Sequence, residues 1–365
     1  MIKFSGDLHL DFEKATAEIV KLKDRILGYQ EQIASLRESV KRLKQSKDSA
    51  KRKYTKSLAE KDAAMNKASM FLAGITGGDL TPCEGYIAKL QVRAAKGLRQ
   101  FREDLKLVLI TRKIIYWDDT VIFILMARAC FRFYGDETIA YYTAHAHKDM
   151  ESLDDDNVLN LLTSDTKAMH DHCTVNYNEK YSFENIECNQ HLQRDLQKNT
   201  DDTCHQWSSD FKEHISRAIK ERNDAIARGE ESFSDTYVEE FHHKIDEYLE
   251  NGWSENASDP DNYGASWERT LLNRISEYRR PYFLWVEDFS LPTTNNLSER
   301  GLRGVKSHMK ISGQFESEAA ADNHALIRTY IETCRRNCIN EIDALQRLCD
   351  GNPYTVAEIF SASPP

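Results

Sequence analysis

Thr293-Thr294-Asn295-Asn296-Leu297-Ser298-Glu299-Arg300, with the basic run that continues to Lys310, is the stretch whose reading decides the fold. Pro292 breaks the segment before it, and Asn295 or Asn296 is placed to cap a new helix with its side-chain oxygen. At about 100° per residue, Glu299, Arg303, Lys306 and Lys310 fall on one stripe of that helix. Leu302, Val305 and Met309 form an adjacent apolar stripe suited to a core. A carboxylate standing among cations beside a buried face suits a site that holds a metal ion next to a phosphate backbone. Two plainer readings compete with it. Asn296 and Glu299 can be a capping box, and the charges can be a solvated salt-bridge face.

Taken as a motif, Asn295-Asn296-x-x-Glu299-Arg300-x-x-Arg303, followed by Lys306, Lys310 and Ser312-Gly313-x-Phe315-x-Ser317, resembles the third-acid helix of transposases of the Insertion Sequence 66 (IS66) family. The resemblance runs over about residues 113–353. It implies a DDE transposase with an α/β fold, a ribonuclease-H-like mixed sheet carrying a helical insertion. It also implies Mg²⁺ or Mn²⁺ as cofactor, since hard oxygen donors select these ions. Carried over by motif, the first acid is Asp118 in Trp117-Asp118-Asp119-Thr120, the second is Asp165 in Ser164-Asp165, and the third is Glu299. These three are the expected catalytic and metal-binding residues, and Arg300, Arg303, Lys306 and Lys310 the expected DNA contacts. Neighbouring acids on a strand face opposite ways, so only one of Asp118 and Asp119 can face the metals, and the motif selects Asp118. Cys188-Asn189-Gln190-His191 with Arg194 resembles the family's Cys-x-x-His plus basic motif, expected to orient the sheet edge near Asp165. A zinc reading of Cys188, His191, Cys204 and His205 fits no common finger spacing. His170-Asp171-His172 reads as a surface turn. Glu316 stands where family members often carry a basic residue.

Outward from this core, the N-terminus is strongly helical. Ile19, Leu22, Ile26, Tyr29, Ile33, Leu36, Val40 and Leu43 recur at spacings of three and four, which predicts a long coiled-coil helix over residues 1–70. The alternative is a long amphipathic helix folded back on its own domain. Residues 71–110 read as a glycine-containing linker and helical connector, from Gly74, Gly77 and Gly78 onward. The ribonuclease-H-like domain is expected over 111–353, with its helical insertion at about 192–290 and a C-terminal tail at 354–365. Within it, the sequence predicts a first strand over 113–117 that continues extended through 120–125, strands over 128–134 and 137–143 joined by a tight primed turn at Gly135-Asp136, and a fourth strand over 157–163 ending at Ser164-Asp165.

The formal charge of −10 argues against a surface that is basic throughout, so any DNA path has to be local. No apolar run reaches the ~18 residues of a membrane span. Eight scattered cysteines without an export signal read as reduced thiols. The expected setting is cytoplasmic, in a bacterial cell and associated with the nucleoid. The partners implied are DNA at element ends and target, a second copy through the coiled coil, and accessory proteins. The predicted reaction is metal-dependent strand cleavage and strand transfer. Its rivals are a truncated, non-catalytic relative acting as a coiled-coil regulator, and a plain metal-dependent nuclease.

Overall fold

The computed structural model describes residues 84–362 and scattered positions from 38 to 49. The chain divides into two units, Met1–Ala63 and Ala64–Pro365. In the first, the described positions, among them Glu38, Lys41, Arg42 and Lys44, are helical and exposed. The coiled-coil expectation lies for the most part outside the described residues.

The second unit is mixed α/β. Its five-stranded sheet has the order β3-β2-β1-β4-β5, built from β1 (Ile114–Ile124), β2 (Ala127–Gly135), β3 (Ala140–His145), β4 (Lys167–His170) and β5 (Glu184–Glu187). β1, β2 and β3 pair antiparallel, and β4 and β5 run parallel to β1. The alternation of β1 sorts its side chains by face. Ile115 and Trp117 enter a core with Leu98, Phe101 and Leu105 of α1 (Glu84–Gly97), the turn after it and α2 (Arg99–Leu109). These helices, read from sequence as a connector, therefore close one face of the sheet. Ile122 and Ile124 face the other way, with Phe131, Phe133, Leu302 and Val305.

Helices flank the sheet: α3 (Met150–Asp156), then α4 (Asn189–Thr203), α5 (Gln206–Ala227), α6 (Asp235–Ser258), α7 (Ala265–Glu277) and α8 (Arg279–Phe283) as the insertion. After it come α9 (Asn296–Ser312), α10 (Glu318–Arg336), α11 (Glu341–Cys349) and α12 (Val356–Ala362). The expected C-terminal tail is thus partly helical. The insertion is tied together by Glu268, fully buried. Its carboxylate accepts from Asn199 Nδ2 (2.8 Å), Trp207 Nε1 (2.7 Å) and Asn256 Nδ2 (2.7 Å) and pairs with His205 Nδ1 (2.9 Å). A buried charge is tolerable only when its lone pairs are filled in this way. β3 is an edge strand, and α10 covers it: Ala140 and Tyr142 donate their N–H groups to the Thr333 and Thr329 hydroxyls at 3.2 and 2.9 Å. No described helix is long and apolar enough to cross a membrane.

Two local expectations are overturned. The β2–β3 turn is not a two-residue primed turn. Gly135 pairs with Ala140, and Asp136 Oδ1 takes the N–H groups of Thr138 and Ile139, both at 2.7 Å. Residues 157–163 are not a strand. Val158, Leu159 and Leu162 are buried, but around the short 3-10 turn Leu159–Leu161. The fourth strand comes later, at β4.

His324 of α10 stacks on His308 of α9 (4.8 Å between ring centres, 20°) and packs on Phe315. Burial, with the positive charges of His308 and Arg328, pulls its ring down to about 3. It is neutral in the fold, whereas an unfolded histidine protonates near 6.5. Stability is therefore full above that pH and falls as the solution is acidified towards 3. Thermal melts at pH 7.5 and 5 should show a drop in Tm that His324→Leu reduces; an identical drop in the variant would overturn this assignment.

Candidate metal and nucleic-acid site

Asp118 stands on β1, on the face turned towards α9, and pairs across the ladder with Phe133. Asp119 faces the opposite way, where Lys148 Nζ lies 2.8 Å from its carboxylate. The Asp119 N–H donates to Asp118 Oδ1 at 2.7 Å. Tyr116 is level with Met169 in the parallel β1–β4 pair, and His170 with Glu187 in β4–β5. Continued past the last pairs, these registers bring Asp118, within β1, level with Asp171 and Cys188, which directly follow the ends of β4 and β5. Met169 and Ile186, two residues earlier on the same face, are buried against the insertion.

Two helix starts meet this row. α4 begins after Cys188, so His191 lies in its first turn, with Nδ1 3.1 Å from Asp171 Oδ1 and Nε2 3.9 Å from Glu299 Oε1. Arg194, one turn on, is 3.2 Å from His191 Nε2 and 3.9 Å from Glu299 Oε1. α9 begins after Asn295, which is fully buried and does not cap the helix with its side chain. Instead Asn295 Nδ2 donates to the Trp117 carbonyl (3.0 Å) and to Asp171 Oδ1 (3.4 Å), while its N–H donates to Cys188 Sγ (3.2 Å). One asparagine thus ties α9 to β1 and to the residues that follow β4 and β5. The capping-box reading of Asn296 and Glu299 does not hold.

The charges of the two level acids diverge. Burial, then the nearby Asp171 carboxylate, pushes Asp118 up to about 7. Asp171 is also pushed up by burial, but the His191 ring 3.1 Å away and the Asn295 amide outweigh that and hold it below the usual carboxylate range. The nearby Asp171 carboxylate in turn raises His191 to about 10. At neutral pH Asp171 is ionised, while burial keeps Asp118 near its midpoint. Lys306 is near enough to favour ionised Asp118, and Arg300, Arg303, Lys306 and Lys310 are all exposed along α9. Asp118, Asp171 and Glu299 offer hard oxygen donors of the kind Mg²⁺ or Mn²⁺ takes, while among the described residues the group whose ligand atoms lie within 4.8 Å of one another is Asp171, Cys188 and His191. A cleft of about 290 Å³ opens beside Asp118 and Asp171, walled in part by Lys148, His170 and Asn176. A larger one, about 530 Å³, lies among the insertion helices near His214 and Phe241 and holds none of these acids.

Residues 65–323 match the family model described as Transposase IS66 family. The chain belongs to the IS66 transposase family. The searches of curated proteins and of solved structures return no match.

In this IS66 chain the second acid expected from sequence, Asp165, is not brought to the other two. It is exposed in the turn that leads into β4, two residues before Lys167, which pairs with Ile114. Six residues separate it from Asp171, about 20 Å at strand rise. The expectation for Asp165 rests on a strand placed over 157–163, which makes it the strand-end acid and leaves His170-Asp171-His172 as a surface turn; the strand itself lies at Lys167–His170. His170 is in fact 1% exposed, and its Nε2 donates to Asn185 Oδ1 (2.7 Å). The signal that marks Asp171 is the Cys-x-x-His motif itself, because Cys188 lies level with it. Cys204 and His205 do not join Cys188 and His191; His205 serves Glu268 and Cys204 is exposed.

Gly301 sets how closely α9 approaches the sheet. A Cβ there would lie 2.9 Å from Phe133 Cδ2 and 3.0 Å from Cε2, in a ring that is fully buried and cannot yield. The Tyr142 hydroxyl also donates to the Gly301 carbonyl at 3.0 Å. Alanine favours helix by up to about 1 kcal/mol over glycine, yet overpacking costs about 1–3 kcal/mol. Gly301→Ala should therefore lower stability in urea titration and move Glu299 off the sheet. A variant as stable as wild type would show that the helix is not held at this distance.

Proposed function

We propose that this chain catalyses metal-dependent cleavage and joining of DNA strands at the ends of an insertion sequence, with Asp118, Asp171 and Glu299 as the three acids. The observation that supports the reading is the register that sets Asp118 level with Asp171, together with His191, which lies 3.1 Å from Asp171 Oδ1 and 3.9 Å from Glu299 Oε1. The sheet order supports a ribonuclease-H-like interpretation of the fold, with three antiparallel strands followed by two parallel ones and the third acid on a late helix. Asp118, Asp171 and Glu299 would hold the divalent ions, which supply Lewis-acid stabilisation and an activated oxygen nucleophile when bound. Asp165 has no part in it.

The chain's own residues do the rest. β1 holds Asp118, Asp171 follows directly on the end of β4, and α9 carries Glu299 in its first turn. His191 and Asn295 fix the direction of the Asp171 carboxylate. Arg300, Arg303, Lys306 and Lys310 neutralise the phosphates of the bound strand, bidentately where arginine meets phosphate. Hydrolytic nicking and the attack of a 3′-hydroxyl on target DNA are both displacements at phosphorus, so one site serves both.

Labelled element-end DNA incubated with Mg²⁺ tests this reading. Asp118→Asn, Asp171→Asn and Glu299→Gln should each lower nicking by roughly two to three orders of magnitude, the scale on which loss of one charge-stabilising group is felt. Asp165→Asn should stay within about twofold of wild type, as expected of an exposed residue outside the site. Equal damage from Asp165→Asn and Asp171→Asn would sink the assignment. Removal of Mg²⁺ with a chelator should abolish both nicking and joining.

A further inference from the structure

Cys188 has no task in a site made of hard oxygen donors. Yet its sulfur, a carboxylate oxygen of Asp171 and a ring nitrogen of His191 all lie within 4.8 Å of one another. Cys188 is 1% exposed, and the Asn295 N–H points at its sulfur from 3.2 Å. His191 Nδ1 is buried without a well-formed hydrogen bond, although Asp171 Oδ1 is only 3.1 Å away. A ring nitrogen holds at most one proton, which cannot bond well to a carboxylate and a sulfur at once. A cation in the proton's place can serve all three.

We infer that Asp171, Cys188 and His191 bind a single divalent cation of borderline softness, zinc by class, with solvent as the fourth ligand. One nitrogen, one sulfur and one oxygen donor with an open position match the three-ligand zinc pattern. The same set is poor for Mg²⁺, which avoids sulfur and nitrogen. Zinc bonds of about 2.0–2.3 Å require the donors to draw together. His191 allows this, because it is 32% exposed on the first turn of α4 and can swing towards the other two. Asp171 belongs to both sets of donors. Zinc therefore draws its carboxylate towards Cys188 and inhibits strand cleavage, a consequence that rests on the transposase reading, whereas binding does not.

The test uses the reduced full chain and Co²⁺ as a spectroscopic substitute for zinc. About one equivalent should produce a thiolate-to-cobalt charge-transfer band and the intense visible bands of a four-coordinate site, all removed by Zn²⁺. Cys188→Ser should lose the charge-transfer band, and Cys338→Ser, at an exposed helix end, should keep it. His191→Gln leaves Cys188 in place and should weaken binding by tenfold or more; it decides the matter if the serine variant fails to fold. No band in wild type, or a band that survives Cys188→Ser, overturns the site. In parallel, Mg²⁺-dependent nicking is measured with added Zn²⁺, each protein normalised to its own zinc-free rate. Inhibition that fades in His191→Gln supports the shared carboxylate, and equal inhibition in both proteins overturns it. A cobalt band in a chain that never nicks DNA leaves the cation site standing and removes only the transposase chemistry. Nicking without a band does the reverse.

Discussion

Two carboxylates held level on neighbouring parallel strands are the constraint that the rest of this structure answers. Adjacent strands lie about 4.8 Å apart, and like charges at such spacing resist ionising together. The protein resolves Asp171 with His191 and Asn295 and leaves Asp118 raised to about 7. A fold selected for stability alone would have little reason to bury this pair; hydrophobic residues of similar volume serve a core as well or better. The raised carboxyl of Asp118 is therefore the group whose charge the surrounding side chains leave least satisfied.

The surrounding architecture serves that pair. α4 and α9 both begin at the strand ends, and their first turns bring His191 and Glu299 over the row. Asn295 spends its amide on Trp117 and Asp171 where an ordinary helix start would spend its oxygen on the cap. Tertiary hydrogen bonds in a dry site outweigh a cap worth about 1 kcal/mol. Gly301, Phe133 and Tyr142 then fix the depth of α9, so the third acid is positioned by packing two residues away from it. On the opposite face Asp156 takes Arg132 (3.0 Å), Tyr134 (2.7 Å) and His145 (2.5 Å), which neutralises the buried arginine of β2.

What was legible in the sequence follows from which signals are local. The alternation of Ile114–Ile124 announces β1, and it separates Asp118 from Asp119 without a structure in hand. The apolar stripe of Leu302 and Val305 orients α9, because a 3.6-residue period leaves only one face to bury. β4 sent no such signal. Lys167-Ala168-Met169-His170 contains no β-branched residue and is only one turn's length of chain, whereas Val158-Leu159-Asn160-Leu161-Leu162 has the apolar density of a buried strand. Periodicity cannot separate a short strand from a buried turn. The choice of second acid depends on this strand, since that acid is defined by where its strand ends. Asn295 was illegible for another reason: an asparagine before a helix looks like a cap whatever it bonds.

Net charge is a poor guide to this site for the same reason of locality. The formal charge of −10 belongs to the whole chain, but beyond about 8–10 Å it is screened at ordinary ionic strength. What a strand of DNA meets is the surface within that range. Most arginines of the insertion are already committed, Arg274 to Asp195 at 2.5 Å and Arg279 to Asp246 at 2.6 Å. Arg300, Arg303, Lys306 and Lys310 are exposed, and none forms an ion pair with a described residue. Exposed cations that follow Glu299 along α9 are where a polyanion would gain most by docking. A local stripe of exposed cations on α9 therefore presents positive potential even though the chain as a whole is acidic.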